Sequence, residues 1–174
     1  MELQIGDIIG YKPKATKSLT SALIKLGGKQ RYSHVLMYIG DGQVIEAGAK
    51  GVAVSGDWVT SKPKDLWKVM RFKRGLDPNQ MERLISVAYG YEGTKYDFWH
   101  FPLLFIYSWL SKIGWASKLL KVVKKIDDTK YVNCSELISR VYMEAIEYDL
   151  SDEESHDFTL PDDIMDNPNL EEVL

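Results

Sequence analysis

The 174-residue chain has one cysteine, Cys134, within Tyr131-Val132-Asn133-Cys134-Ser135-Glu136-Leu137-Ile138. Leu137, Ile138, Val141, Tyr142 and Ala145 follow at helical spacing, which predicts an amphipathic helix with the thiol in its first turn. Unpaired backbone N–H groups and the positive end of the helix dipole gather there. Both lower a thiol pKa from its usual value of about 8.5 and favour the nucleophilic thiolate. A single cysteine has no intrachain disulfide partner, and the plain alternative is a small buried hydrophobe. His34, in Ser33-His34-Val35-Leu36-Met37-Tyr38-Ile39, falls in a segment that reads as a strand. A thiol at a helix start and an imidazole on a strand are the parts of a cysteine nucleophile with its base.

A third residue is sought from hairpin register. Tyr32–Ile39 and Gln43–Gly48 read as two strands joined around Gly40-Asp41-Gly42. With a two-residue Asp41-Gly42 loop, His34 and Glu46 point to opposite faces. With a three-residue Gly40-Asp41-Gly42 loop, Leu36 pairs with Glu46, and His34 and Glu46 become diagonal neighbours on one face, roughly 7 Å apart at the backbone. Gly42 suits the left-handed position that the longer loop needs, so the three-residue loop is expected. Glu46 stands in the otherwise apolar Val44-Ile45-Glu46-Ala47, where a carboxylate needs a partner such as the His34 imidazole; exposure on an edge strand is the alternative. The roles that follow are Cys134 as nucleophile, His34 as base and then acid, and Glu46 as the group that fixes the imidazole tautomer. The Cys134 backbone N–H is a natural oxyanion donor. Tyr96 and Tyr11 are candidates for a second donor, against the plainer reading of both as core or surface aromatics.

Other elements must carry these residues. Gly6–Tyr11 reads as a short strand after a turn, Thr16–Leu26 as a helix stopped by Gly27-Gly28, and Leu66–Phe72 as a strand. Asp77-Pro78-Asn79-Gln80 has the pattern of a helix start, with Met81, Leu84, Ile85 and Ala88 on its inner side. Residues 98–126 are aromatic and apolar, expected as a helical insertion. The tail reads as short turns around Pro161 and Pro168. Helices around a small antiparallel sheet define an α+β fold in one domain over 1–174, with an acidic tail from about 147.

The net charge of −3 hides an asymmetry. Residues 147–174 hold eleven Asp/Glu and no Lys/Arg, whereas residues 1–146 carry 22 Lys/Arg against 14 Asp/Glu. An acidic tail folded over a basic body accounts for this more simply than an anionic partner. No aromatic-interleaved basic pattern marks a nucleic-acid surface. His34, His100 and His156 lack metal-ligand spacing, and Gly27-Gly28-Lys29 lacks a phosphate-loop pattern. Neither metal nor cofactor is expected. The start of the chain shows no leader and no window forms a membrane span, which with the single cysteine suggests a cytoplasmic setting.

Gly6-Asp7-Ile8-Ile9, the run from Ser33 to Ala47 and Gly51-Val52-Ala53-Val54 together resemble the C-terminal half of the NlpC-like papain-fold hydrolases. Tyr89–Asp97 and Asn133–Tyr142 resemble their N-terminal half. Histidine precedes cysteine by 100 residues, the reverse of the papain order. That order is the mark of the circularly permuted branch, with its YiiX-like, YaeF-like and lecithin retinol acyltransferase-like members. The resemblance implies a permuted papain-like fold with a sheet or half-barrel against helices. It also implies Cys134 as nucleophile, His34 as base, Glu46 as third polar residue and Tyr96 beside the site. Asn133-Cys134-Ser135-Glu136 stands where unpermuted members have Asp-Cys-Ser-Gly, and is closer to the acyltransferase-like branch.

The expected activity is hydrolysis of an amide or peptide bond through a thioester. An alternative is a lipid esterase or acyltransferase with the same nucleophile, suggested by the apolar run Phe98–Leu110 and the lysines after it, which could contact a membrane surface. A third is a non-catalytic module on this fold. The expected partner is a small-molecule, peptide or lipid-linked substrate, without nucleic acid.

Overall fold

The computed structural model describes residues 2–12, 31–56, 58–97, 131–151 and 159–174. The helix expected over 16–26 and the insertion expected at 98–126 lie outside the described residues. The strands are β1 (Ile8–Tyr11), β2 (His34–Gly40), β3 (Gln43–Gly48), β4 (Gly51–Ser55), β5 (Trp67–Phe72), β6 (Lys95–Tyr96), β7 (Tyr131–Val132) and β8 (Leu170–Glu172). The described α-helices are α1 (Trp58–Ser61), α2 (Pro78–Gly90), α3 (Cys134–Ile146) and α4 (Pro161–Met165). Six strands form one antiparallel sheet in the order β4-β3-β2-β1-β5-β8, while β6 and β7 make a separate parallel pair. The architecture is α+β.

The strands bury side chains on both faces. Ile8, Val35, Met37, Ile45 and Ala47 lie in one cluster with Leu137, Ile138, Val141 and Tyr142 of α3. Their sequence neighbours Ile9, Leu36 and Val44 lie in a second cluster with Trp58, Trp67 and Val69. This alternation is the two-residue period of a pleated strand, and it fixes which face each site residue takes. α2 begins as expected: Asp77 caps the Gln80 N–H, and the Gln80 side chain accepts from the Asp77 N–H. Of its four expected inner residues, Leu84 and Ala88 are fully buried, and Met81 and Ile85 are partly so.

The β2–β3 hairpin has the expected register for a different reason. Met37 opposes Ile45 and Tyr38 opposes Val44, so the same register continued sets Leu36 opposite Glu46. The loop, however, is the two residues Asp41 and Gly42, with φ of 51° and 75°, the left-handed pair of a type I′ turn. The pairing shifts between Tyr38 and Gly40, so a bulge at Ile39 absorbs the extra residue that the three-residue loop was invoked to supply.

The acidic C-terminal segment is also more than turns. Pro161 starts α4, Ile164 and Met165 are buried, and β8 extends the sheet beside β5. Arg31 pairs with Asp162 and Asp166, and Lys68 with Glu172, so tail carboxylates dock on basic side chains of the body.

Gly51 attaches the β6–β7 pair to the sheet. Its φ is 105°, and a Cβ there would lie 2.6 Å from the Thr94 carbonyl oxygen. The close approach lets the Val52 N–H donate to Thr94 O and the Gly93 N–H donate to Val52 O, which holds Tyr96 near α3. Gly51→Ala is expected to cost about 3 kcal/mol by denaturant titration, from backbone strain plus overpacking. Gly42→Ala, where no atom lies within 4 Å of the new Cβ, is expected to cost about 1 kcal/mol, from strain alone.

Candidate active site

α3 starts at Cys134 because Asn133 caps it. The Asn133 side chain accepts from the Ser135 and Glu136 N–H groups, both at 2.9 Å, and the Glu136 carboxylate accepts from the Asn133 N–H at 3.2 Å. Glu136 also pairs with Arg140 one turn on, which compensates a carboxylate buried to 4% exposure. This box uses the amides of Asn133, Ser135 and Glu136. The Cys134 N–H is the first-turn donor that the cap leaves over.

The sheet supplies the other half. By alternation His34 and Glu46 share the face of Leu36 and Val44, whereas Cys134 packs in the α3 cluster on the opposite face. The thiol therefore has to meet the imidazole at the level of the sheet. The β2–β3 ladder permits this, because it stops at Met37/Ile45 although the strands run on to His34 and Gly48. The Tyr38 N–H donates to Asp7 O, so even-numbered amides of β2 face the β1 side and odd-numbered ones face β3. The Val35 N–H thus points beyond the end of the ladder, where it favours the charged form of the Cys134 thiol. His34 is within hydrogen-bonding reach of the same sulfur. Its Nε2 lies 2.7 Å from Glu46 Oε2, which leaves Nδ1 as the ring nitrogen for the thiol.

These contacts set the charges. Burial pushes the Cys134 thiol up, but hydrogen bonds from His34, Val35 N–H and Ser135, with the His34 charge, bring it below its ordinary value. Burial likewise opposes the His34 imidazolium, but its bonds to Cys134 and Glu46 prevail and raise it to about 10. Glu46 is pushed up by burial and held below the usual carboxylate range by His34, with a further contribution from Lys62. All three directions favour a thiolate–imidazolium–carboxylate chain.

Cys134, His34 and Glu46 are thus brought together. Tyr96 is buried next to them: burial raises its phenol far above the ordinary value, and the charge of Cys134 adds to this. Tyr11 stands opposite His34 in the β1–β2 register, with its ring edge-on to Trp58 at 5.6 Å. Three features were not drawn from the sequence. The Asn-x-x-Glu capping pattern at 133–136 and the Glu136/Arg140 spacing were visible there. The Val35 N–H has no side-chain signal. Among the described residues no group of three His, Cys, Asp or Glu is arranged to hold a metal ion; His100 and His156 lie outside them.

No protein-family model matches the chain, and no curated protein does. Among solved structures it is similar to the crystal structure of metalloprotein YiiX from Escherichia coli O157:H7. The TM-score is 0.67 at 21% identity, over 98% of this chain and 96% of that one. This similarity establishes a common fold and meets the YiiX-like expectation at that level.

Glu46→Gln keeps the shape of the site and removes the charge beside Nε2. The His34 imidazole is expected to titrate at least one pH unit or so lower than in the unsubstituted protein, as for loss of an opposite charge within about 4–6 Å. Imidazole ¹⁵N chemical shifts against pH measure this, and an unmoved midpoint would remove Glu46 from the chain.

Proposed function

We propose that the protein is a cysteine hydrolase of the circularly permuted papain-like type, cleaving an amide or peptide bond through a thioester. The observation that carries this reading is the Cys134–His34–Glu46 chain: a buried thiol at a helix start, an imidazole in contact with it, and a carboxylate 2.7 Å from the far ring nitrogen. The histidine strand ahead of the cysteine helix and the fold shared with YiiX support the permuted assignment.

In the proposed reaction the Cys134 thiolate attacks the carbonyl carbon, and the carbonyl electrons move onto oxygen. The Cys134 N–H donates to that oxyanion, with Tyr96 as the nearer tyrosine for a second bond. Collapse of the oxyanion expels the amine, which takes its proton from the His34 imidazolium. Water then attacks the thioester while His34 accepts its proton. The acid leaves, and the thiolate and imidazolium are restored. Glu46 holds the ring with Nδ1 toward the sulfur throughout.

YiiX is described as a metalloprotein. The described residues here do not fit that role, since His34 and Glu46 are hydrogen-bonded to each other and no third donor joins them in a metal-holding arrangement. The same thioester could pass to a lipid or other acyl acceptor. That reading rests on Phe98–Leu110, which lies outside the described residues, as does the membrane contact it would bring. Among the described residues no helix is long and apolar enough to cross a membrane. A peptide or other small amide is the proposed substrate, and a reducing compartment suits the unpaired thiol.

Iodoacetamide should label Cys134 over a broad pH range. The low-pH limb should lie below the free-thiol value of about 8.5, because the thiolate is stabilised, and it should move up in His34→Ala, where burial is left unopposed. With an activated acyl ester, intact mass spectrometry should find one acyl group on the unsubstituted protein and none on Cys134→Ala. Equal labelling rates with and without His34 would argue for the non-catalytic module.

A further inference from the structure

Lys62 is a cation beside the candidate site without a matching acid among the described residues. Four other basic side chains of the body are neutralised: Arg31 by Asp162 and Asp166, Lys68 by Glu172, Arg71 by Asp7 and Arg140 by Glu136. Lys62, like Lys12, Lys64 and Lys95, forms no ion pair with any described residue, and it differs from them in lying beside the site. Glu46, the carboxylate on which it acts electrostatically, is engaged by His34 at 2.7 Å.

Its position is built rather than loose. The Lys62 carbonyl accepts from Trp67 Nε1 at 3.4 Å, and its ammonium lies 5.9 Å from the centre of the Tyr11 ring. Trp58 braces Tyr11 edge-on at 5.6 Å and is itself braced by Trp67 at 6.2 Å. Tyr11 is directly opposite His34 in the sheet. Opposed residues have Cβ atoms only about 4.5–5.5 Å apart, so one side chain separates the ammonium from the imidazole. Lys62 is half-buried, and its four-carbon stem lets the charge turn from the aromatic face toward a ligand. An ammonium partly withdrawn from water, with no acid paired to it among the described residues, is suited to bind an anion.

We propose that Lys62, seated on Tyr11, recognises an anionic substituent of the substrate, a carboxylate or a phosphate, near the carbonyl that Cys134 attacks. This rests on the cysteine-hydrolase reading and narrows its substrate class to acidic amides or peptides.

The test compares three alkylating probes of equal reach on the full chain: N-(iodoacetyl)glycine, N-(iodoacetyl)aminomethylphosphonate as the phosphate-like probe, and the neutral N-(iodoacetyl)glycinamide. The readout is the ratio of charged-probe to neutral-probe inactivation rates, which cancels changes in thiol reactivity itself. Lys62→Met is expected to lower that ratio about fivefold, the upper end for a partly exposed ion pair. Lys62→Glu should lower it further, Lys62→Arg should retain it, and Lys64→Met, at an exposed lysine two residues on, should leave it unchanged. Whichever charged probe loses more identifies carboxylate or phosphate as the preferred group. Prompt neutral labelling that depends on His34, with the same ratio in Lys62→Met and the unsubstituted protein, overturns the anion subsite alone. Slow neutral labelling that His34→Ala does not change overturns the hydrolase reading, and the subsite with it.

Discussion

The meeting of the Cys134 sulfur with the Val35 amide and the His34 ring is the contact on which the rest of the site depends. Thiol and imidazole start from opposite faces of a sheet that is buried on both sides. They meet because the β2–β3 ladder ends at Met37/Ile45 and leaves an inward-pointing N–H for the sulfur. Were the ladder continued, Val35 would spend that hydrogen bond on β3 and the thiol would remain in an apolar pocket. There burial would keep it protonated and unreactive. The opening of the sheet is thus a positional device and an electrostatic one at once.

The same economy governs the other buried charges. An ionised group withdrawn from water is tolerated only with a partner and satisfied hydrogen bonds. Asp7, almost fully buried, receives two bonds of 2.7 Å from Arg71 and another from the Gln4 N–H. Glu136 is held by Arg140 and the Asn133 N–H. In the Cys134–His34–Glu46 chain burial opposes the charged form of each group, and the neighbouring member favours it. A chain of this kind is sensitive to the loss of any member, because the remaining charges are then stranded. Lys62 is half-buried over the Tyr11 ring and forms no ion pair with a described residue.

Much of this was legible from side-chain patterns. The helix at Cys134 follows from its apolar spacing, and its inner face of Leu137, Ile138, Val141, Tyr142 and Ala145 is buried as expected. The shared face of His34 and Glu46 follows from a register set by alternation, and it holds although the loop is one residue shorter than expected. Asp-Gly favours a type I′ turn, but a bulge is a backbone event with no distinct residue signature, so a two-residue loop with a bulge and a three-residue loop lead to the same strand register. The C-terminal helix and edge strand were hidden because α4 has only five residues and β8 three. Segments so short form by docking on the body, not by local preference. The Val35 amide and the position of Lys62 depend on where the sheet parts and where an aromatic stack stands, neither of which periodicity encodes.

The fold is shared with YiiX, but chemistry resides in the site and not in the framework. The proposed chemistry centres on a thiolate stabilised by a neighbouring imidazolium. Thiolate absorbance near 240 nm, followed against pH in the unsubstituted protein with Cys134→Ala as the blank, measures that state directly. A thiolate already present at neutral pH, lost only well below the free-thiol range, is the expected result. A thiol that first ionises at or above about 8.5 would contradict it.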